Sequence, residues 1–336
     1  MNSVASHATG HRSTAAPRAN PTRLPLASAD LCASLAMAAL FAVLALTVRN
    51  DGVSYMLSLI MVWAIFALGY DLAFGTAGIL SFGHAAYFGL GAYGATWAML
   101  RFNLPFSVGM VCALLMGALA GTVVAWIGRR VTGLYFSLLT LMLAELVSIV
   151  MLTRLRDLSG GVDGIPGVPR PSFGGIDFFA NGAFVWVVFG LFLATVLGVH
   201  VLRRSPLGQA LQGLRQNAVR LEQLGLNVGR LRLVAMALSG AVSGLAGALL
   251  ASLMMYISPQ LLHWKMSGDV LIMTLLGGSG TLLGPILGVA FFEVVKEGLA
   301  AYTDHWYGLL GVIFIAGTIF MPKGLAGLVL RRWRRA

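Results

Sequence analysis

The run Gly277-Gly278-Ser279-Gly280 carries the small-residue pattern in which intramembrane serine proteases place a nucleophile. A serine hydroxyl attacks only when a histidine within hydrogen-bond reach takes its proton. Downstream of Ser279 the chain offers one histidine, His305, at the edge of an apolar segment rather than inside one. The pattern therefore makes a poor active site. Leu158-Ser159-Gly160-Gly161 resembles the opening of a nucleotide-contacting signature, but the chain has no G-x-x-x-x-G-K-[ST] phosphate loop to accompany it. No H-E-x-x-H pair is present. These residues predict no catalytic group, no metal and no cofactor.

Ionisable groups within apolar segments are costly, so each is a functional candidate. His84 and Glu145 fall mid-segment, and His200, Asp269 and Glu293 fall nearer segment ends. A neutral imidazole bonded to a neighbouring helix explains His84 without function. Glu145, between Ala144 and Leu146, must be protonated, paired or facing a polar cavity. A proton relay through Glu145 would suit a secondary transporter, yet no ladder of carboxylates accompanies it.

The elements that must position these groups are membrane helices. Of 336 residues 58% are hydrophobic and 10% charged, far from a soluble domain. Stretches near the roughly 20 residues a spanning helix needs follow one another: Leu31 to Val48, Val53 to Ala73, Thr76 to Leu100, Pro105 to Ile127, Val131 to Thr153, Ala183 to Leu202, Leu233 to Ile257, Met266 to Gly278, Leu282 to Leu299, and Trp306 to Met321. The eighth is too short to span alone. The expected fold is an all-α polytopic bundle of about ten transmembrane helices, with a broken or re-entrant segment within 266–299.

The net charge of +11 sits between the apolar segments, which marks topology rather than nucleic-acid binding. Threaded with the N-terminus inside, the cytoplasmic side receives sixteen of the 23 basic residues: those of a disordered tail at 1–30, Arg129 and Arg130, the 203–232 loop, and the C-terminal end including a basic tail at 331–336. An odd number of spans breaks that asymmetry, so both termini are expected in the cytoplasm. Residues 154–182 then form an outer loop, and 31–330 form the membrane domain. An uncleaved first helix suits the tail better than a signal peptide. Cys32 and Cys112 lie in apolar stretches and suggest no disulfide.

Glycine is abundant, at 42 residues, and several pairs are spaced for close helix packing: Gly117 and Gly121, Gly240 and Gly244, Gly284 and Gly288. The run from Gly277 to Gly280, followed by Gly284-Pro285, instead interrupts an apolar stretch. Transporters use such discontinuities at binding sites.

Five blocks in order then carry a family resemblance. They are Gly69 to Tyr93 (GYDLAFGTAGILSFGHAAYFGLGAY), Gly133 to Leu141 (GLYFSLLTL), Ser159 to Ile165 (SGGVDGI), the segment Ser205 to Asn227, and Ser267 through Gly277, Gly278, Gly280 and Thr281 to Pro285; the close from Phe320 to Leu325 also fits. Over residues 31 to 330 the chain resembles the LivM-type permeases of branched-chain amino acid ABC importers. The resemblance implies a multi-pass inner-membrane subunit pairing with a sister (LivH-like) permease, two ATPase subunits and a periplasmic substrate-binding protein. Urea and short-chain amide importers use related permeases, which leaves the substrate open.

The 203–232 loop is the expected ATPase contact. Pro206-Leu207-Gly208 opens an amphipathic helix whose Ala210, Leu211, Leu214 and Leu221 form an apolar stripe beside arginines. A helix lying on anionic headgroups would look the same. By family position the coupling candidates are Gly208, Ala210, Leu211, Arg215, Asn217 and Gly225, while Gln209, Gln216 and Ala218 depart from the pattern. The candidate solute pathway comprises Gly83, His84, Tyr87, Thr140, Glu145, Gly277, Gly278, Ser279 and Gly280.

Overall fold

The computed structural model describes residues 26–48, 50–173, 176–177, 180–302, 305–321 and 324–327. Residues 1–25 of the expected N-terminal tail, and the tail at 331–336, lie outside the described residues.

In chain order the elements are α1 (Leu26–Thr47), α2 (Asp51–Asp71) continued by a π turn (Leu72–Thr76), α3 (His84–Leu100), α4 (Phe106–Ile127), α5 (Leu134–Thr153), the short α6 (Arg156–Ser159), α7 (Asn181–Arg204), α8 (Pro206–Gln216), α9 (Ala218–Gln223), α10 (Val228–Met254), α11 (Trp264–Gly277), α12 (Leu283–Ala300) and α13 (Trp306–Phe320). The described residues also hold short 3-10 turns and four two-residue strands. β1 (Ile165–Pro166) pairs antiparallel with β4 (Tyr256–Ile257), and β2 (Ser172–Phe173) with β3 (Ile176–Asp177). The fold is an all-α polytopic bundle. Among the described residues six helices are long and apolar enough to cross a membrane: α1, α2 with its π turn, α4, α5, α7 and α10. The other four apolar elements, α3, α11, α12 and α13, have 17, 14, 18 and 15 residues, so length alone does not give the expected count of about ten.

Two boundaries differ from expectation for physical reasons. The helix predicted over 76–100 begins only at His84; Ala77 to Gly83 are not helical, and Gly78 takes φ +74°, which favours glycine. His84 thus stands in the first turn of α3 rather than mid-span. At the N-terminal side α1 starts at Leu26, so Asp30 belongs to a helix and not to a tail.

The core is built around α2 and α10. Ile60 to Leu68 of α2 are almost wholly buried, as are Ala246 to Ala251 of α10. A helix apolar on all sides belongs at the centre of a bundle. The expected small-residue faces meet: Gly117 of α4 lies against the backbone of Gly240 and Gly244 of α10, and Gly121 against Met236. Added side chains there would push these backbones apart. Gly284 and Gly288 of α12 pack on Gly277 and Met273 of α11, so these two helices run antiparallel from the 278–282 turn.

Candidate functional site

Two interruptions of the helical bundle face each other. The first is the π turn and the irregular Ala77 to Gly83; the second is the turn 278–282 between α11 and α12. Backbone groups freed inside an apolar bundle must find partners, and two carboxylates supply them. Asp30 of α1 accepts from the Leu282 and Leu283 amides at 2.7 and 3.0 Å, covering the N-terminus of α12. Asp71, at the end of α2 and completely buried, accepts from the Gly280 amide at 2.9 Å.

The Asp71 carboxylate also forms an ion pair with Arg203, in the last turn of α7. Arg215, in the last turn of α8, donates through its guanidinium to the Gly75 carbonyl in the π turn. Gly280, at φ +86°, places its backbone beside that guanidinium, where a methyl group would not fit without displacing it. Buried charge is tolerated when paired and hydrogen-bonded. Arg203, Arg215, Asp71 and Asp30 therefore tie α1, α2, α7 and α8 to both interruptions.

A cavity of about 790 Å³ opens beside these groups, lined by Asp30, Arg203, Arg204, Gln212, Arg215 and Gly280 among others. The cap of α8 is Ser205, whose hydroxyl accepts from the Gly208 amide at 3.2 Å. Leu211 and Leu214 are buried in one cluster with Ala77, against which Ile79 packs. The helix expected to couple thus rests on the first interruption. Ala210 is half-buried on the same helix. Asn217 caps α9 by accepting from the Arg220 amide at 3.0 Å, and Gly225 follows with φ +83°.

The other sequence candidates divide into two groups. Around the first interruption, Thr140 of α5 accepts from the Phe82 amide at 3.0 Å, beside Gly83. Ser267 of α11 accepts from the Ala85 amide at 2.8 Å. His84 Nε2 lies 2.7 Å from the Ser239 hydroxyl, which itself donates to the Gly69 carbonyl at 2.6 Å. With the serine hydrogen committed to Gly69, the imidazole is the donor, tying α3 to α10 and α2. Tyr87 is fully buried, edge-on to His84 at 5.1 Å between ring centres. Gly277 and Gly278 are buried and Ser279 half-buried in the second interruption. Ser279 and His305 stand at opposite ends of α12, whose 18 residues extend about 27 Å.

Glu145 belongs elsewhere. Its carboxylate is 3.6 Å from His263 Nε2, next to a second cavity of about 500 Å³. Ser148, Met254, Lys265, Asp269 and Tyr307 help line it. The Lys265 ammonium sits 3.9 Å from the centre of the Tyr307 ring. α11 runs between the two cavities, so they open at opposite ends of the bundle.

Asp71, Asp30 and Arg203 were not among the sequence candidates. Asp71 carried a usable signal, an acidic residue near the end of a long apolar stretch and inside the block Gly69 to Tyr93. Asp30 carried none, since its partners lie 252 residues away.

Comparison with known proteins supplies the family. The profile described as "Branched-chain amino acid transport system / permease component" matches residues 52–317. The chain is 29% identical to the high-affinity branched-chain amino acid transport system permease protein LivM of Escherichia coli K12, over 80% of this chain and 68% of that protein. It is 25% identical to a probable LivM of Methanocaldococcus jannaschii, over 80% and 93% respectively. It is also 28% identical to the autoinducer 2 import system permease protein LsrC of Klebsiella pneumoniae, over 68% and 75%.

Proposed function

Because the chain belongs to the family of branched-chain amino acid transport system permease components, we propose that it imports a branched-chain amino acid as one permease subunit of an ATP-driven transporter of the inner membrane. The relatives named LivM support the substrate. Specificity is set largely by a periplasmic binding protein that delivers the solute, and a sister permease completes the pathway. Two ATPase subunits engage α8 and α9.

The observation that carries the mechanism is the junction at Asp71. An ATPase that moves α8 acts on Arg215 and Leu214, and through them on the π turn and Ala77. Through Arg215, which lies against Gly280, the same motion reaches the 278–282 turn that Asp71 holds. Alternating access follows when both interruptions shift together. Ten passes, with α3, α11, α12 and α13 completing the six long spans, place both termini and α8 in the cytoplasm. The cavity beside Lys265 and Asp269 then faces outward. A zwitterion entering it meets an ammonium for its carboxylate, a carboxylate for its ammonium, and Met254 and Leu261 for its side chain.

The test is uptake of labelled leucine into vesicles holding the permeases and ATPases, with binding protein and ATP. Leucine uptake requiring all components, with unlabelled isoleucine and valine competing, is the expected result. The LsrC relatives make autoinducer 2 the informative competitor, and urea tests the amide-importer reading. Uptake of either in place of leucine overturns the substrate, and leucine uptake without ATPases overturns the energy source.

A further inference from the structure

A third cavity, of about 290 Å³, lies between the end of α4, the start of α5 and the start of α10, and the first interruption and Leu214 of α8 form part of its wall. Its lining is mostly apolar, including Ile79, Ala125, Phe136 and Met236; Thr132 is polar, and the charged side chains are two arginines, Arg129 and Arg232. Among the described residues neither has a carboxylate partner; the recorded ion pairs are those of Arg203, His263 and Lys296. Two unpaired cations on an apolar pocket are complementary to an anionic amphiphile, with its headgroup on the guanidinia and its first methylenes inside.

The surroundings distinguish a lipid from a protein side chain. The Arg129 guanidinium stacks on the Trp126 ring at 5.3 Å, and Trp126 is 57% exposed. Tryptophan beside arginine at a helix end is the arrangement found at headgroup level. Leu134 and Tyr135, the first residues of α5, are the most exposed large apolar side chains of that helix, and Leu115 and Leu119 continue an exposed apolar face along α4. An acyl chain leaving the pocket would run along that face. The cavity is smaller than a whole lipid, at the lower limit for a ligand pocket, so it takes only the headgroup end and the first methylenes.

We propose that this pocket binds one anionic phospholipid, which braces Ile79 and Leu80 of the first interruption against α8. Basic pockets between membrane helices hold such headgroups. The site does not depend on which leaflet it faces, so it stands or falls separately from the transport assignment.

The experiment uses the purified full-length chain in neutral detergent, titrated with phosphatidylglycerol or phosphatidylcholine of equal chain length and read by native mass spectrometry. Phosphatidylglycerol should form a one-to-one adduct that survives detergent removal, and phosphatidylcholine should not. R129Q/R232Q should weaken the adduct roughly thirtyfold, from a factor of about five for each arginine. R129K/R232K should restore it, which separates charge from folding, and R101Q/R154Q at the other end of the bundle should leave it unchanged. Equal binding of phosphatidylcholine, or undiminished phosphatidylglycerol binding by R129Q/R232Q, overturns the proposal.

Discussion

Asp71→Asn removes one charge while keeping an oxygen for the Gly280 amide, so it isolates the ionic link to Arg203. The carboxylate is fully buried and the Arg203 side chain is 11% exposed. Removing one partner of a buried pair costs about 3–5 kcal/mol, because the other charge is left without compensation. Arg203 borders the cavity of about 790 Å³, where water can reach it, which places the cost near the lower end, at about 3 kcal/mol. Arg203→Met alone should cost less, since Arg215 and the Gly280 amide remain near Asp71. The double variant D71N/R203M leaves neither charge stranded and should recover most of the loss, a coupling of at least about 2 kcal/mol between the two positions. Unfolding of the purified protein in mixed micelles measures all three, and the same variants in the reconstituted importer report transport. D71N should keep ATP hydrolysis while losing most leucine uptake. A D71N protein within about 0.5 kcal/mol of the parent, with the two substitutions additive, would refute the claim that this pair holds the interruptions together.

Arg215→Glu places a carboxylate against the Gly75 carbonyl in place of the donor that now binds it; ATP hydrolysis should persist and uptake fall at least tenfold, and normal coupled uptake would remove Arg215 from the route. Ser239→Ala leaves the His84 ring and the Gly69 carbonyl without their shared partner, so unfolding measurements should show a loss of about 1–3 kcal/mol, the cost of stranding buried polar groups. Glu145→Gln should leave uptake unchanged across pH, since its carboxylate meets one histidine rather than a chain of proton acceptors; a pH-dependent loss would restore a proton relay. Asp269→Asn should instead raise the concentration of delivered amino acid needed for half-maximal uptake, with little change in maximal rate, if the cavity beside Lys265 meets the solute's ammonium.

What could be read from the sequence follows from how local each cause is. Apolar length and the spacing of Gly117, Gly121, Gly240 and Gly244 are properties of single segments, and both the bundle and the α4–α10 contact came out as those properties require. The second interruption was visible because Gly277 to Gly280 cluster in the chain. The first was hidden, since Ala77 to Gly83 are apolar enough to continue a helix, and the contacts that fix the segment and its two flanks come from far along the chain: Thr140 on Phe82 within it, Arg215 on Gly75 before it and Ser267 on Ala85 after it. Arg215 is a coupling candidate by family position alone, and the sequence does not say that its guanidinium turns inward to the Gly75 carbonyl. The helix was rightly placed, but the direction of one long side chain depends on a cavity that only the folded chain creates.

That inward turn also bears on how force passes. A π turn carries one residue more per turn than an α-helix, so its hydrogen bonds are fewer and less favourably directed than those on either side. Here it occupies Leu72 to Thr76, between Asp71 and the irregular segment. The Ala77 amide bonds the Leu72 carbonyl at 3.2 Å, and the Ile79 amide reaches back to Ala73 at 2.8 Å. Arg215 is attached to this turn at Gly75, while Asp71 just before it is attached to Arg203 and Gly280. A displacement of α8 relative to α7 is therefore applied across the five residues best able to change their winding. The long part of α2 before Gly69 is packed on all sides and offers no comparable freedom. Both interruptions should move with α8 while α2 and α10 stay in place, because Arg215 of α8 is held at Gly75 and lies against Gly280, whereas Arg203 of α7 keeps Asp71 with the fixed part.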